Sequence, residues 1–199
     1  MVTPMPAGHS VLHQSEDSGA PYPLALRLIH WFMALTIIGL ISLGLYMTSL
    51  KEHSEELYFW HKSFGMLAFF LILLRMAVRA RSRIPGFPLS MQPWERKAAA
   101  AGHGLLYLLM LLVPLAGYTD SSAYVHSSGI HFFVVDLPQL IPDNEQVQKI
   151  ANLVHKLASY ALAGLLVVHV SAALKHRYFD RDRRSDVFPR ILIRWRRRD

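Results

Sequence analysis

The sequence predicts an all-α integral membrane protein, a four-helix bundle with both termini on the cytoplasmic side. Three observations carry that prediction: four apolar runs long enough to cross a bilayer, a lopsided distribution of basic residues, and histidines recurring inside the runs. Of the 199 residues, 52% are hydrophobic and 18% charged, against about 25% charged in an average soluble domain. Cysteine is absent, which excludes disulfides, thiolate zinc sites, iron–sulfur clusters and thioether-linked cofactors. Any cofactor is then held by histidine, carboxylate or simple packing, and the chain holds eleven histidines.

Residues 1–23 form a polar N-terminal tail; with Glu16 and Asp17, no basic start and no small-residue cleavage site, it does not read as a cleaved signal. A bilayer core of about 30 Å takes about 20 helical residues. Leu24–Tyr46, Leu57–Val78, Ala98–Tyr118 and Ile150–Leu174 meet that length, within a membrane domain spanning 24–178. A soluble bundle would show one apolar stripe per helix, whereas these runs are apolar all round. Residues 179–199 form a basic C-terminal tail, in which Arg194–Arg198 reads as a solvated or lipid-headgroup-binding stretch.

Charge sets the orientation. Seventeen Lys and Arg fall on one side of the spans, against Lys51, Lys62, Lys149 and Lys156 on the other. The positive side faces the cytoplasm, so both termini lie inside. The formal charge of +7 therefore points to membrane lipid as partner rather than nucleic acid, because the basic residues cluster beside hydrophobic runs. Helices three and four are joined outside by Thr119–Lys149, long for a mere connection. Its apolar stretch Gly129–Ile141 is expected to lie against the bundle mouth.

Ionisable side chains inside a membrane are costly and mark function. His30, His103 and His169 lie roughly 7 to 9 Å in from the cytoplasmic end, and His61 and His155 roughly 6 to 8 Å in from the outer end. His155 and His169 are fourteen residues apart on one helix, so they share a face about 21 Å apart along the membrane normal. No single metal bridges that gap; two stacked centres do. One pairs His155 with His61, the other His169 with His30 or His103. Two imidazoles from different helices suit the axial positions of a haem, whereas a bare ion wants three or four protein ligands at one level. Arg75, fourteen residues after His61, shares that face at the inner level, where haem carboxylates would satisfy a desolvated guanidinium.

The residues also match a known pattern. Leu28-Ile29-His30-Trp31, then Trp60-His61-Lys62-Ser63-Phe64-Gly65 leading to Leu74-Arg75-Met76-Ala77-Val78-Arg79, then Gly102-His103-Gly104, Pro114-Leu115-Ala116-Gly117, His155, His169 and His176-Arg177-Tyr178-Phe179 occur in order. The set, over about residues 22–190, resembles the bacterial cytochrome b561 family. The resemblance implies two haem b groups, with His30 and His169 on the inner iron, His61 and His155 on the outer one, and His103 in support. It implies superoxide oxidase-like chemistry, with ubiquinone as the second redox partner and His176 at the quinone end. Lys62 and Lys156, which follow the outer ligands directly, would draw an anion such as superoxide.

The leading expectation is thus transmembrane electron transfer between an outer donor, superoxide first, and membrane quinone. An anchor subunit serving a periplasmic dehydrogenase or hydrogenase would need a docking surface, for which Thr119–Lys149 is the candidate. A histidine-lined proton or ion transporter would instead show no chromophore.

Overall fold

The computed structural model describes residues 20–50, 54–88, 90–125, 130–180 and 182–193. Four long helices dominate: α1 (Leu24–Ser49), α2 (Glu55–Arg81), α3 (Pro93–Ala123) and α4 (Glu145–Tyr178). Each contains one predicted span and runs two to five residues past it at every end but the first. The reason is that hydropathy measures the hydrocarbon crossing, while a helix continues through the interface until a cap stops it. The Ser54 hydroxyl accepts from the Leu57 N–H at 3.4 Å and the Asn144 side chain accepts from the Val147 N–H at 3.0 Å. At α3, Gln92 and Glu95 form a reciprocal capping box ahead of Pro93.

The closest pairing is α3 with α4; α1 packs on α2, and α2 on α3. Met33, Ile37, Ile72, Leu106, Leu109, Ala158 and Leu162, drawn from all four helices, form a buried central cluster. Outside it the helices remain apolar: only 11–17% of the most hydrophobic window of each is buried. Water would penalise such a surface, whereas lipid requires it.

Two short elements complete the fold. A hairpin of β1 (Ile130–Phe132) and β2 (Val135–Leu137) pairs antiparallel, with Ile130 opposite Leu137 and Phe132 opposite Val135. It lies in the long connection and packs on α2, where the sequence places an apolar segment at the bundle mouth; Gly129 lies outside the described residues. After α4 comes a 3-10 turn (Arg183–Ser185) and α5 (Phe188–Ile191). Residues 182–193, read from sequence as part of a basic tail, dock on the bundle. Buried Arg190 donates to the carbonyls of Ala20 (3.2 Å) and Gly86 (2.8 Å). Arg27 donates to the Leu192 carbonyl at 2.7 Å and the Trp31 indole to that of Ile191 at 3.1 Å. Arg194–Arg198 lie outside the described residues.

Candidate functional site

The histidines gather in two layers separated by the central cluster. At one end, His61 of α2 faces His155 of α4 with ring centroids 6.1 Å apart. At the other, His169 of α4 has its ring 6.4 Å from that of His30 on α1 and 5.6 Å from that of His103 on α3. Leu162, in the cluster, lies seven residues from each of His155 and His169. Two imidazoles on opposite sides of one iron, each bonded at about 2 Å, have centroids about 6 Å apart. The His61–His155 and His30–His169 pairs both have that spacing.

Local structure prepares the His61–His155 end. The His155 Nδ1–H donates to the Val113 carbonyl at 2.8 Å, which fixes the tautomer and leaves Nε2 with its lone pair. That bond sits beside Pro114, inside α3; a proline there removes a helix donor and loosens the ladder. One turn on, Gly117 clears the ring: a Cβ there would lie 2.9 Å from His155 Nδ1. Gly44 does the same less tightly for His61, at 3.4 Å from Cε1. His61 Nδ1 is buried with no hydrogen-bond partner among the described residues, an arrangement that calls for an explanation. Both histidines line a cavity of about 950 Å³, within the usual range for cofactor sites. A committed His155 imidazole, an unpartnered His61 ring facing it, glycine clearance and a cavity bounded by apolar Ile37, Met66 and Met110 fit a haem.

Lys62 and Lys156 line the same cavity. So does Asp120, which sequence reasoning missed because its predicted span stopped at Tyr118. Asp120 faces Lys62 electrostatically and accepts from the Asn152 amide at 3.1 Å. Lys62 is therefore opposed by a carboxylate. Near the other layer, Arg75 donates to the Tyr107 hydroxyl at 3.3 Å and to the Leu26 carbonyl at 3.0 Å. Both partners are neutral, so among the described residues its charge has no acidic partner beside His30 and His169. Trp31 packs edge-on against His30 at 5.5 Å.

His176 is buried seven residues past His169, in the last turn of α4, and its Nδ1–H donates to Asp180 at 2.6 Å. Asp180 also accepts from the Ser185 hydroxyl at 2.7 Å and pairs with Lys175 at 3.3 Å, while Lys175 pairs in turn with Glu95. Burial pushes the Asp180 carboxyl up, but the hydrogen bonds from His176, Ser185 and Lys175 outweigh it and hold it down to about 2. The spacing His169 to His176 was legible in sequence; Asp180 and Ser185, which hold His176 in place, were not singled out there.

Four lipid-facing helices that present imidazoles in pairs at two levels define a membrane cytochrome of the b type. The comparisons agree: the model of the prokaryotic cytochrome b561 family matches residues 21–189, and the chain belongs to that family. It is similar to cytochrome b561 homolog 2 of Escherichia coli K12, 32% identical over 177 residues, covering 86% of this chain and 90% of the relative. Cytochrome b561 homolog 1 of the same organism is 25% identical over 122 residues, 61% of this chain and 68% of the relative. A probable superoxide oxidase CybB of Yersinia pestis is 24% identical over 155 residues, 77% and 87% of the two chains. Membership makes this a bacterial membrane protein that transfers electrons through b-type haem.

Proposed function

We propose that the protein binds two b haems and conducts electrons between superoxide, or another periplasmic donor, and ubiquinone in the inner membrane, with both termini cytoplasmic. The observation that supports it most is the pair of His–His separations, 6.1 and 6.4 Å, built from one face of α4. His61 and His155 hold the outer haem; His30 and His169 hold the inner one. His103 lies against His169 as a supporting group, and Arg75 offers its charge to the inner haem's carboxylates. The haems supply one-electron chemistry when bound.

The protein's own residues set position, access and protons. The Val113 carbonyl holds His155 in its ligating tautomer. Lys62 and Lys156 attract an anionic donor to the outer cavity, and Asp120 tempers that attraction. Superoxide loses one electron there and leaves as dioxygen. At the other end quinone takes up two electrons and two protons, and His176, oriented by Asp180, is placed to donate one of them. The test is a reduced-minus-oxidised spectrum with a haem count for wild type, His155→Ala and His169→Ala. The expected result is two haems per chain falling to one in each variant, with different spectral components lost. No haem in a haem-supplied wild type would overturn the proposal.

A further inference from the structure

We propose that the β1–β2 hairpin is a re-entrant element whose tip sits in the hydrocarbon of the leaflet at the His61–His155 end, held there by Ser63. The turn itself is the first sign. Two-residue hairpin loops in water favour Asn-Gly or Asp-Gly, because the turn needs left-handed backbone. Here the loop is Phe133-Val134, and Phe133 takes a left-handed φ of 53°, a conformation rare for bulky residues. Val134 is 97% exposed. A phenylalanine bent into glycine's conformation to present a bare valine makes little sense toward water and is economical toward acyl chains.

Position is the second sign. Phe133 packs on Phe64 at 5.3 Å and on Trp60 at 6.3 Å, and Phe132 packs on Phe70 at 5.7 Å. Phe64 and Phe70 are exposed residues of α2, part of its lipid-facing surface. Phe70 lies nine residues beyond His61, about 13 Å further along the helix axis. The hairpin therefore extends an existing lipid-facing surface instead of standing off in water.

Backbone satisfaction is the third. Non-helical backbone at membrane depth is tolerated only where its polar groups find partners. The fully buried Ser63 hydroxyl supplies two: it donates to the His131 carbonyl at 3.2 Å and accepts from the Phe133 N–H at 3.1 Å. One side chain of α2 thus partners two backbone groups of the hairpin edge that faces it. Ile130 and His131 line the same cavity as His61 and His155, so the inserted hairpin also walls that cavity off from lipid.

The absence of cysteine makes the test clean, since each single-cysteine variant carries one label. Val134→Cys, Leu35→Cys and Gln146→Cys are nitroxide-labelled in phosphatidylethanolamine/phosphatidylglycerol vesicles. Accessibility to oxygen and to a water-soluble nickel complex is read by power saturation. Leu35 is 69% exposed at mid-α1 and reports lipid; Gln146 is exposed at the start of α4 and reports water. The Val134 label is expected to match Leu35, with an oxygen-to-nickel ratio several-fold above Gln146. A Val134 ratio equal to that of Gln146, with Leu35 still high, overturns the proposal and leaves a water-facing surface suited to a soluble partner. A low ratio at Leu35 would instead strike at the membrane-spanning reading on which the proposal rests. Adding Ser63→Ala to Val134→Cys should bring the ratio down toward water; no change would remove Ser63 as the anchor. None of these readouts depends on haem.

Discussion

Gly117→Ala sets two effects of opposite sign against each other. In the interior of α3, alanine is the better helix former by about 1 kcal/mol, so propensity alone predicts a more stable protein. The new Cβ, however, would sit 2.9 Å from His155 Nδ1 and 3.0 Å from Cε1, whereas non-bonded heavy atoms settle at about 3.5–4.0 Å. Something must move by more than half an ångström, on the order of the mismatch between those two distances. The imidazole has little freedom to do so, because its Nδ1–H is held by the Val113 carbonyl at 2.8 Å. Misorienting a ligating histidine costs about 10- to 100-fold in metal affinity, or about 1.4 to 2.8 kcal/mol. The expected variant therefore keeps or raises its thermal stability before haem is added, and loses much of the haem at the His61–His155 end. Haem titration followed by reduced-minus-oxidised spectra measures both sites. Gly44→Ala, with 3.4 Å of clearance to His61, should lose far less. Two fully occupied haems with unaltered spectra in Gly117→Ala would refute the claim that this glycine exists to clear His155.

Three other outcomes follow from the geometry. Arg190→Ala removes buried hydrogen bonds to two carbonyls, each worth about 1.5–3 kcal/mol for a charged donor; limited proteolysis should cut within 182–193 much faster, while the four long helices stay intact. Asp180 is held at about 2, below its ordinary 3.8, so its contribution is present above the ordinary value and lost as pH falls through about 2. Hydrogen-exchange protection in the docked segment, taken relative to the intrinsic amide rate at each pH, should hold steady from pH 7 down to about pH 4 and fall only below it. Asp120→Asn removes the carboxylate facing Lys62; stopped-flow reduction by an anionic donor should speed by about 2- to 10-fold at low salt, and the gain should shrink as salt screens it.

The four spans were legible in sequence because each is a long unbroken apolar run, and the two histidine layers because their spacing follows the helical repeat. Fourteen residues is close to four turns, so His155 and His169 had to share a face, and His61 with Arg75 likewise. Other features lacked such a signature. Asp120 fell just past a hydropathy boundary, although its helix runs on to Ala123. The hairpin carries no Asn-Gly or Asp-Gly, because its turn rests on the aromatic surface of α2 and on Ser63. The docking of 182–193 depends on side chains meeting backbone carbonyls more than a hundred residues away, as Arg190 meets Gly86 and Arg27 meets Leu192. Backbone carbonyls exist at every position, so sequence alone does not single out the ones used. The spacing of the inner layer also left His30 and His103 as alternative partners of His169, because both lie at one level and their rings sit at 6.4 and 5.6 Å from it.

The central cluster has an electrical consequence. Met33, Ile37, Ile72, Leu106, Leu109, Ala158 and Leu162 form a dielectric plug without an ionisable group, between layers that are about 21 Å apart along α4. An electron can tunnel in steps through packed hydrocarbon, but a proton needs a chain of polar groups or water, and none of these side chains provides one. Charge therefore crosses this part of the protein unaccompanied. Each electron moved the full width of the membrane does work against, or draws work from, the membrane potential of about 2.3 kcal/mol per 100 mV. On the proposed path between two haem levels, the insulating middle of the bundle would couple the redox reaction to the cell's voltage.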